Sequence, residues 1–261
     1  MSTFTASDAA LLVLLGFGVG VFGTLVGAGG GFILTPVLLV LYPHDSPRTI
    51  TAISIAVVFC NASSGSIAYA RQRRIDYRSG LVFATATLPG AIIGALAVGN
   101  VSRRFFDALM AVFLAGIAAW LLAVARSTVE RDSIEQTSRV PLVRGAILSL
   151  GVGFVSSFLG IGGGIIHVPL LVQLLGFPVH IAMATSHFVL AVMSGAATVT
   201  HAVQGSYRVG HGLRRSVALS AGVIVGAQVG ARLSLRLSGR RIQHLLAAAL
   251  IVLALRLALT L

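Results

Sequence analysis

Five long stretches without a charged residue constrain this chain more than any other feature. Asp, Glu, Lys and Arg are absent from residues 9–44, 49–70, 79–102, 108–125 and 145–207. A helix needs about 20 apolar residues to cross the hydrocarbon core of a bilayer, so these stretches hold seven or eight crossing segments. Charged residues form 10% of the chain, against about 25% in a soluble domain. We therefore expect an all-α, polytopic membrane protein with seven or eight transmembrane segments.

One glycine motif occurs twice. The sequence GAGGGFILTP, which starts at Gly27, returns as GIGGGIIHVP at Gly160, a shift of 133 residues. A second match, between PGAIIGA at Pro89 and AGVIVGA at Ala221, has a shift of 132. The common order predicts two related halves, and the polar stretch between them reads as a linker. The predicted units are residues 9–125, the linker 126–140 and residues 141–260.

Each half begins with an apolar segment that is too long for one straight crossing. The expected segments are 9–42, 48–70, 79–100 and 104–125, then 143–176, 180–204, 212–232 and 241–260. The glycine cluster at the middle of each first segment favours a break in the helix. A re-entrant hairpin there makes the two halves inverted, whereas an interrupted crossing helix makes them parallel.

The arginine distribution does not separate these two topologies. Both place 12 arginines on one side of the membrane and 7 on the other, so the positive-inside rule favours neither. Unwound helices paired across inverted repeats are a recurring design in transporters. We therefore favour inverted halves.

The two glycine clusters are candidates for an anion-binding site. Unwound backbone in a membrane must be buried in protein or line a polar cavity, and two equivalent breaks predict a shared site near the midplane. A helix that starts after glycines offers free amide groups and a positive dipole end. The candidate ligands are Gly27, Gly29, Gly30, Gly31, Gly160, Gly162, Gly163 and Gly164. Close helix packing through small residues is the alternative for these clusters, and it is the favoured interpretation for Gly90, Gly94, Gly222, Gly226 and Gly230.

Polar side chains inside the predicted spans supply further candidates for substrate binding. They are Ser54, Asn61, Thr185, Ser186 and His187. Candidates for proton coupling are His167, His187 and His201, because histidine titrates near neutral pH; a proton carried by the substrate is an open alternative. Arg71 and Arg74 are candidates for attracting anions at a cavity mouth. None of the seven acidic residues falls at the middle of a span, which argues against a cation pathway and a metal site.

The sequence predicts neither an enzyme nor a cofactor. GAGGG continues with Phe32 rather than lysine, so it is not a P-loop, and the single cysteine, Cys60, has no obvious partner. The net charge of +12 reflects arginines in short loops between spans rather than nucleic-acid binding. The expected partners are a small anionic substrate and the lipid bilayer, and a homo-oligomer is left open.

The paired Gly-x-Gly-Gly-Gly…Pro motifs, the Thr185-Ser186 element and the later Pro-Gly-x-x-x-Gly span resemble the sulfite exporter TauE/SafE family, also called the 4-toluene sulfonate uptake permeases. The resemblance covers nearly the whole chain. It implies a multi-pass transporter of the bacterial plasma (inner) membrane that moves sulfite, sulfonates, sulfoacetate or related sulfur oxyanions, driven by an ion gradient. The first half departs from the family pattern, since Ala52-Ile53-Ser54 stands where Thr-Ser is expected.

We expect a secondary transporter that works by alternating access, with the substrate bound at the paired glycine breaks. An anion channel, or a transporter of another small organic solute, is the alternative.

Overall fold

The computed structural model describes residues 5–127, 142–208 and 211–238, and residues 241, 245, 248, 251 and 252. All regular secondary structure in these residues is helical, as expected. The α-helices are α1 (Ala6–Leu25), α2 (Gly31–Leu41), α3 (Pro47–Arg71), α4 (Tyr77–Ala97), α5 (Arg103–Ser127), α6 (Leu142–Leu159), α7 (Gly164–Gln173), α8 (Val179–Val203) and α9 (Gly212–Leu233). Short 3-10 helices, Val98–Asn100 and Ser234–Arg236, follow α4 and α9.

Six helices in the described part of the chain are long and apolar enough to cross a membrane. They are Ala6–Leu25, Pro47–Arg71, Tyr77–Asn100, Leu142–Leu159, Val179–Val203 and Gly212–Arg236. Helices α2 and α7 are apolar but have only 11 and 10 residues. The chain is therefore a multi-pass helical membrane protein. Residues 128–140 of the predicted linker and most of the predicted span 241–260 lie outside the described residues.

The first apolar segment of each half is broken at its glycines, as predicted. Helix α1 ends before the first glycine motif, and the amide of Gly29 donates back to the carbonyl of Gly23 at 3.1 Å. Gly30 and Gly163 cap α2 and α7 with φ angles of +79° and +66°. Glycine adopts this left-handed conformation without a steric penalty. The motif thus ends one helix and starts a shorter one.

The first long helix of each half packs against the other half. Helix α1 packs mainly against α9 of the second half, and α6 packs mainly against α4 of the first. Small residues let helix backbones approach closely in a membrane. Gly222, Gly226 and Gly230 face the backbone of α1, whereas Gly90 and Gly94 face that of α6. The packing role predicted for these five glycines is confirmed.

Helices α3 and α8 contact each other along their lengths and run in opposite directions. Gly65, near the end of α3, lies beside His187, in the first half of α8. Ala52, near the start of α3, accepts a hydrogen bond of 3.1 Å from the hydroxyl of Tyr207, which follows α8. Each helix therefore starts where the other ends.

A group of polar contacts around Arg215 marks one end of the helix bundle. Arg215, at the start of α9, forms an ion pair with Asp45, between α2 and α3, and its guanidinium carbon lies 3.6 Å from the ring centroid of Tyr42. Burial raises the pKa of the Tyr42 hydroxyl, so the ring beneath the guanidinium stays neutral. Asp8, in the first turn of α1, also interacts with Arg215. We call this end the Arg215 end; it holds the start of α1, the end of α2 and the start of α3.

The opposite end, which we call the Arg74 end, holds the end of α3 and the starts of α4 and α8. The amide of Asp76, which caps α4, donates to the hydroxyl of Thr185 in α8 at 3.0 Å. Arg74, between α3 and α4, interacts with His180 at the start of α8.

Helix α2 turns back along α1, the long helix that precedes it. A Cβ atom on Gly30 would lie 2.7 Å from a methyl carbon of Val19, and the rings of Phe22 and Phe32 are 6.4 Å apart. As a result, α1 starts and α2 ends at the same end of the bundle.

Candidate functional site at the paired glycine loops

The two glycine motifs meet inside the protein. We call residues 26–30 the first glycine loop and residues 160–163 the second. A Cβ atom on Gly31 would lie 2.8 Å from the carbonyl carbon of Ile161, and one on Gly164 would lie 2.6 Å from Cα of Ala28. The shift of 133 residues relates Gly31 to Gly164 and Ala28 to Ile161. The same contact is therefore made twice, in reciprocal fashion.

This contact lies beside the middles of α3 and α8. A Cβ atom on Gly29 would lie 2.6 Å from Leu190 and 3.4 Å from Val58, and one on Gly162 would lie 2.7 Å from Val58. Val58 and Leu190 lie close to the centres of these two 25-residue helices. Because such helices cross the membrane, the breaks lie near its mid-depth.

Two helix N-termini converge at this point, since α2 begins at Gly31 and α7 at Gly164. The first amides of a helix have no acceptor within that helix, and the helix dipole makes this end positive. Both glycines are buried, so water screens these partial charges little. The arrangement suits a small anion.

Ser54 belongs to the second glycine loop. The carbonyl of Gly160 accepts hydrogen bonds of 2.7 Å from both Ser54 and Thr35, and the two hydroxyl oxygens are 2.9 Å apart. Both side chains are fully buried. Their protons are engaged by the backbone and by each other, so the observed role of Ser54 is to fix the loop.

Asn61 lies at the first glycine loop with donor capacity to spare. Its side-chain oxygen accepts a hydrogen bond of 3.0 Å from Thr24, at the end of α1. Its amide nitrogen is buried and has no hydrogen-bond partner among the described residues. A buried donor without a partner costs about 1–3 kcal/mol, so this nitrogen is available to a ligand or a water molecule.

His187 lies next to the helix that carries Asn61 and is also unpaired. Neither ring nitrogen makes a hydrogen bond in the described part of the structure, although the carbonyls of Gly27 and Met183 lie near the ring. Those carbonyls are not in hydrogen-bonding geometry. The ring meets Tyr69 edge-on at 5.4 Å, and the Tyr69 hydroxyl donates to the carbonyl of Thr24 at 2.7 Å.

The other two members of the predicted Thr-Ser-His element behave differently from each other. The Ser186 hydroxyl is buried with no partner among the described residues. The Thr185 hydroxyl instead accepts the amide of Asp76 at the Arg74 end. The structure thus leaves the Ser186 hydroxyl and the His187 ring without hydrogen-bond partners among the described residues, and it uses Thr185 to hold the turn before α4.

The remaining histidine candidates occupy separate environments. His167, in α7, has Nε2 at 3.3 Å from the Ser149 hydroxyl and meets Phe83 edge-on at 5.8 Å. His201 lies towards the Arg215 end of α8, with Nδ1 at 3.5 Å from the Ser206 hydroxyl. No group of three His, Cys, Asp or Glu side chains in the described residues could hold a metal ion.

The sequence comparisons place this architecture in a family. The family model described as "Sulfite exporter TauE/SafE" matches residues 12–257. The chain belongs to the TauE/SafE family. The resemblance inferred from the glycine motifs is therefore confirmed over nearly the whole length.

Curated relatives of this TauE/SafE protein come from bacteria and an archaeon. The probable membrane transporter protein YunE of Bacillus subtilis is 29% identical over 214 residues, which cover 75% of this chain and 78% of the relative. A probable membrane transporter protein of Methanocaldococcus jannaschii is 28% identical, with coverage of 70% and 68%. A probable membrane transporter protein of Haemophilus influenzae is 27% identical, with coverage of 69% and 67%. No solved structure matches the chain significantly.

Three residues near the site of this TauE/SafE protein carry a sequence signal that lies outside the glycine motifs themselves. Thr24 and Ser157 are related by the repeat shift of 133, and each lies at the end of the helix before a glycine loop. The Ser156 and Ser157 hydroxyls are buried without partners among the described residues. The sequence marks Thr24 and Ser157 as a polar position repeated before each glycine motif, and Ser156 as a polar residue inside a predicted span.

Proposed function

We propose that this protein is a secondary transporter for a small anion in the bacterial inner membrane. The best-supported substrate class is a sulfur oxyanion or organosulfonate, such as sulfite or sulfoacetate. Membership of the TauE/SafE family and the names of the curated relatives support membrane transport in general. The choice of an anion rests on the physical chemistry of the site.

The observation that carries this choice is the meeting of two helix N-termini at mid-depth. Amides of α2 and α7 and the two helix dipoles create a positive region in a low-dielectric interior, where an anion gains most. The described carboxylates lie instead at helix ends: Asp8, Asp45, Asp76 and Asp107. A cation or metal pathway would need a carboxylate near the centre.

The proposed binding residues follow from this centre. Amides at Gly30, Gly31, Gly160, Gly162 and Gly163 would line the anion. The amides of Gly27, Gly29 and Gly164 donate to the carbonyls of Thr24, Gly23 and Gly162, so these three glycines would act by shaping the loops. The unpartnered polar groups of Asn61 and His187 would add hydrogen bonds on the side of the first loop, and the Ser186 hydroxyl would add a further one. Ser54 and Thr185 would act by holding the loop and the α3–α4 turn. His187 is then the best-positioned proton-coupling candidate, since its unpaired ring adjoins the first loop.

We also propose that the halves are inverted repeats, each with a re-entrant hairpin. The return of α2 to the Arg215 end, where α1 starts, supports a hairpin. The opposite directions of α3 and its repeat equivalent α8 support inversion. Inverted repeats of this kind permit alternating access, because one half can exchange conformations with the other around a central site.

The binding site can be tested on the purified protein with an anion panel. A ligand that binds the folded state raises its stability by about 2.7 kcal/mol at 100 times Kd, so sulfite and sulfoacetate should raise Tm, whereas choline and a neutral sugar should not. Asn61→Leu removes the free amide donor and should weaken anion binding about tenfold or more.

Ser194→Ala is the matched control for this variant. Ser194 lies in α8, the helix packed against α3, and is as fully buried as Asn61, but its hydroxyl already donates to the Leu190 carbonyl. This control should leave the affinity within about twofold of wild type. Stabilisation by cations or neutral solutes alone, or equal losses in both variants, would contradict the proposed site. A channel would instead be recognised by flux that does not saturate.

A further inference from the structure

A cavity of about 240 Å³ lies at the Arg215 end of the protein, and no residue of the glycine loops lines it. It lies between the start of α3, the 3-10 helix after α4 and the turn after α8. Its walls are formed by Ser46, Pro47, Arg48, Thr49, Val98, Gly99, Val101, Gln204, Gly205 and Ser206. One water molecule occupies about 30 Å³ of liquid, so the cavity has room for a small oxyanion and several waters.

Arg48 supplies the charge of this cavity. Its guanidinium lies against Gly99, where a Cβ atom would come within 2.6 Å of Cζ and Nε. Among the described residues the Arg48 side chain makes no hydrogen bond or ion pair, and its Nε is buried. Arg103 and Arg215, at the same end, are each paired with a carboxylate. Arg48 therefore differs from Arg103 and Arg215 in having no carboxylate partner among the described residues.

The other polar walls also have unused hydrogen-bonding capacity. The Gln204 amide oxygen is buried without a partner in the described part of the chain. The Ser206 hydroxyl lies at 3.5 Å from Nδ1 of His201, whose Nε2 is buried and unpartnered there. His201 is fully buried and interacts electrostatically with Arg48. None of the lining residues is acidic, so the cavity carries a net positive charge.

We propose that this cavity is an oxyanion-binding vestibule, in which Arg48 binds a sulfonate, sulfite or sulfate group outside the central site. The planar guanidinium presents paired N–H donors that match the oxygens of such a group. The guanidinium lies against Gly99, and the Ser206 hydroxyl is a second polar group in the cavity lining. The proposal rests on the proposed function and deepens it by giving the anion a first binding position at the Arg215 end.

The repeat supports a functional rather than an accidental placement of this charge. The turn Gln72-Arg73-Arg74 after α3 corresponds, by a shift of 132, to Gln204-Gly205-Ser206 after α8. Arg74 is half-buried and has one guanidinium nitrogen without a partner among the described residues. At each end of the bundle this turn thus lies beside a buried guanidinium nitrogen that has no partner among the described residues: that of Arg74 within one turn, and that of Arg48, from α3, beside the other.

Protection of an introduced cysteine tests the vestibule without requiring transport. In a Cys60→Ser background, Ser46→Cys puts a thiol on the cavity wall at an exposed position. Ser102→Cys, exposed at the same end but outside the cavity lining, is the control. Sulfate and sulfoacetate are the probes, because sulfite reacts with the maleimide reagent.

We expect both anions to slow the labelling of Ser46→Cys in a saturable way and to leave that of Ser102→Cys unchanged. Adding Arg48→Gln should raise the anion concentration for half-protection about tenfold or more, the range for a hydrogen bond to a charged group. Arg104→Gln removes an exposed charge at the same end and should change the anion concentration for half-protection less than twofold. Gly99→Ala keeps the charge but displaces the guanidinium, so it should also weaken protection.

Two results would overturn the vestibule: no anion protection of Ser46→Cys, or equal effects of Arg48→Gln and Arg104→Gln. If labelling of the folded, monodisperse protein is protected while proteoliposomes show no anion flux, the proposed transport function fails and the vestibule stands. If anions are transported without protection, the vestibule fails and the transport function stands.

Discussion

Replacing Gly164 with alanine would insert a methyl group between the two glycine loops. Gly164 is buried at the first position of α7, and its Cβ would lie 2.6 Å from Cα of Ala28 and from the carbonyl oxygen of Gly27. Carbon atoms in ordinary contact are about 3.5–4.0 Å apart. The neighbouring atoms belong to backbone in a buried loop, so the loops must separate by about 1 Å to admit the methyl group.

The energetic cost follows from this overlap. One extra methyl group in a well-packed interior costs about 1–3 kcal/mol. Gly151, in α6, has open space where a Cβ would point, with no neighbouring atom within 4 Å. Gly151→Ala should therefore gain about 0.5–1 kcal/mol from reduced backbone entropy. The two variants should differ in unfolding free energy by about 1.5–4 kcal/mol.

Thermal unfolding of the two variants in the same detergent measures this difference. For a chain of this length 1 kcal/mol corresponds to about 2–4 °C in Tm, so Gly164→Ala should melt at least about 3 °C below Gly151→Ala. Gly31→Ala, the reciprocal change, should resemble Gly164→Ala. Equal melting temperatures for Gly164→Ala and Gly151→Ala would refute the close contact between the glycine loops.

Three further changes test individual contacts through Tm. Tyr69→Phe removes the donor to the Thr24 carbonyl at 2.7 Å and should cost about 1 kcal/mol; an unchanged Tm would exclude that bond. Arg73 has a φ of +55°, so Arg73→Gly should stabilise by about 0.5–1 kcal/mol, and a lower Tm would contradict the left-handed backbone. Asp45→Asn breaks the partly exposed ion pair with Arg215 and should cost less than about 1 kcal/mol, with a loss that shrinks in high salt; a salt-independent loss would point to another cause.

The breaks in the helices could be predicted from sequence because their cause is local. Glycines at Gly30 and Gly163 favour a left-handed cap, and the repeat shift of 133 predicted that both breaks share one geometry. The positions of the membrane-crossing helices followed similarly from uncharged runs of sufficient length.

Which helices pack against each other could not be predicted, because that packing depends on contacts between residues far apart in the sequence. Hydrophobic runs show which residues avoid water but not that α1 packs on α9 of the other half. The reciprocal contact between Gly31 and Ile161 joins residues 130 positions apart, and no spacing rule in the sequence indicates it.

The side-chain roles at the site were only partly predictable for the same reason. Ser54 and Asn61 look alike in sequence, as polar residues within one span. In the folded protein the Ser54 hydroxyl bonds the Gly160 carbonyl, whereas the Asn61 amide nitrogen finds no partner among the described residues. Arg48 stands out only once Arg103 and Arg215 are seen to be paired.

The central claim is that the chain moves a sulfur oxyanion through the paired glycine loops, and anion flux into proteoliposomes tests it most directly. Sulfite and sulfoacetate uptake would be measured with and without an imposed pH gradient, for wild type, Gly164→Ala and Gly151→Ala. We predict saturable uptake that responds to the gradient, falls strongly in Gly164→Ala and persists in Gly151→Ala. Movement of a cation or a neutral solute, with no flux of either anion, would contradict the account.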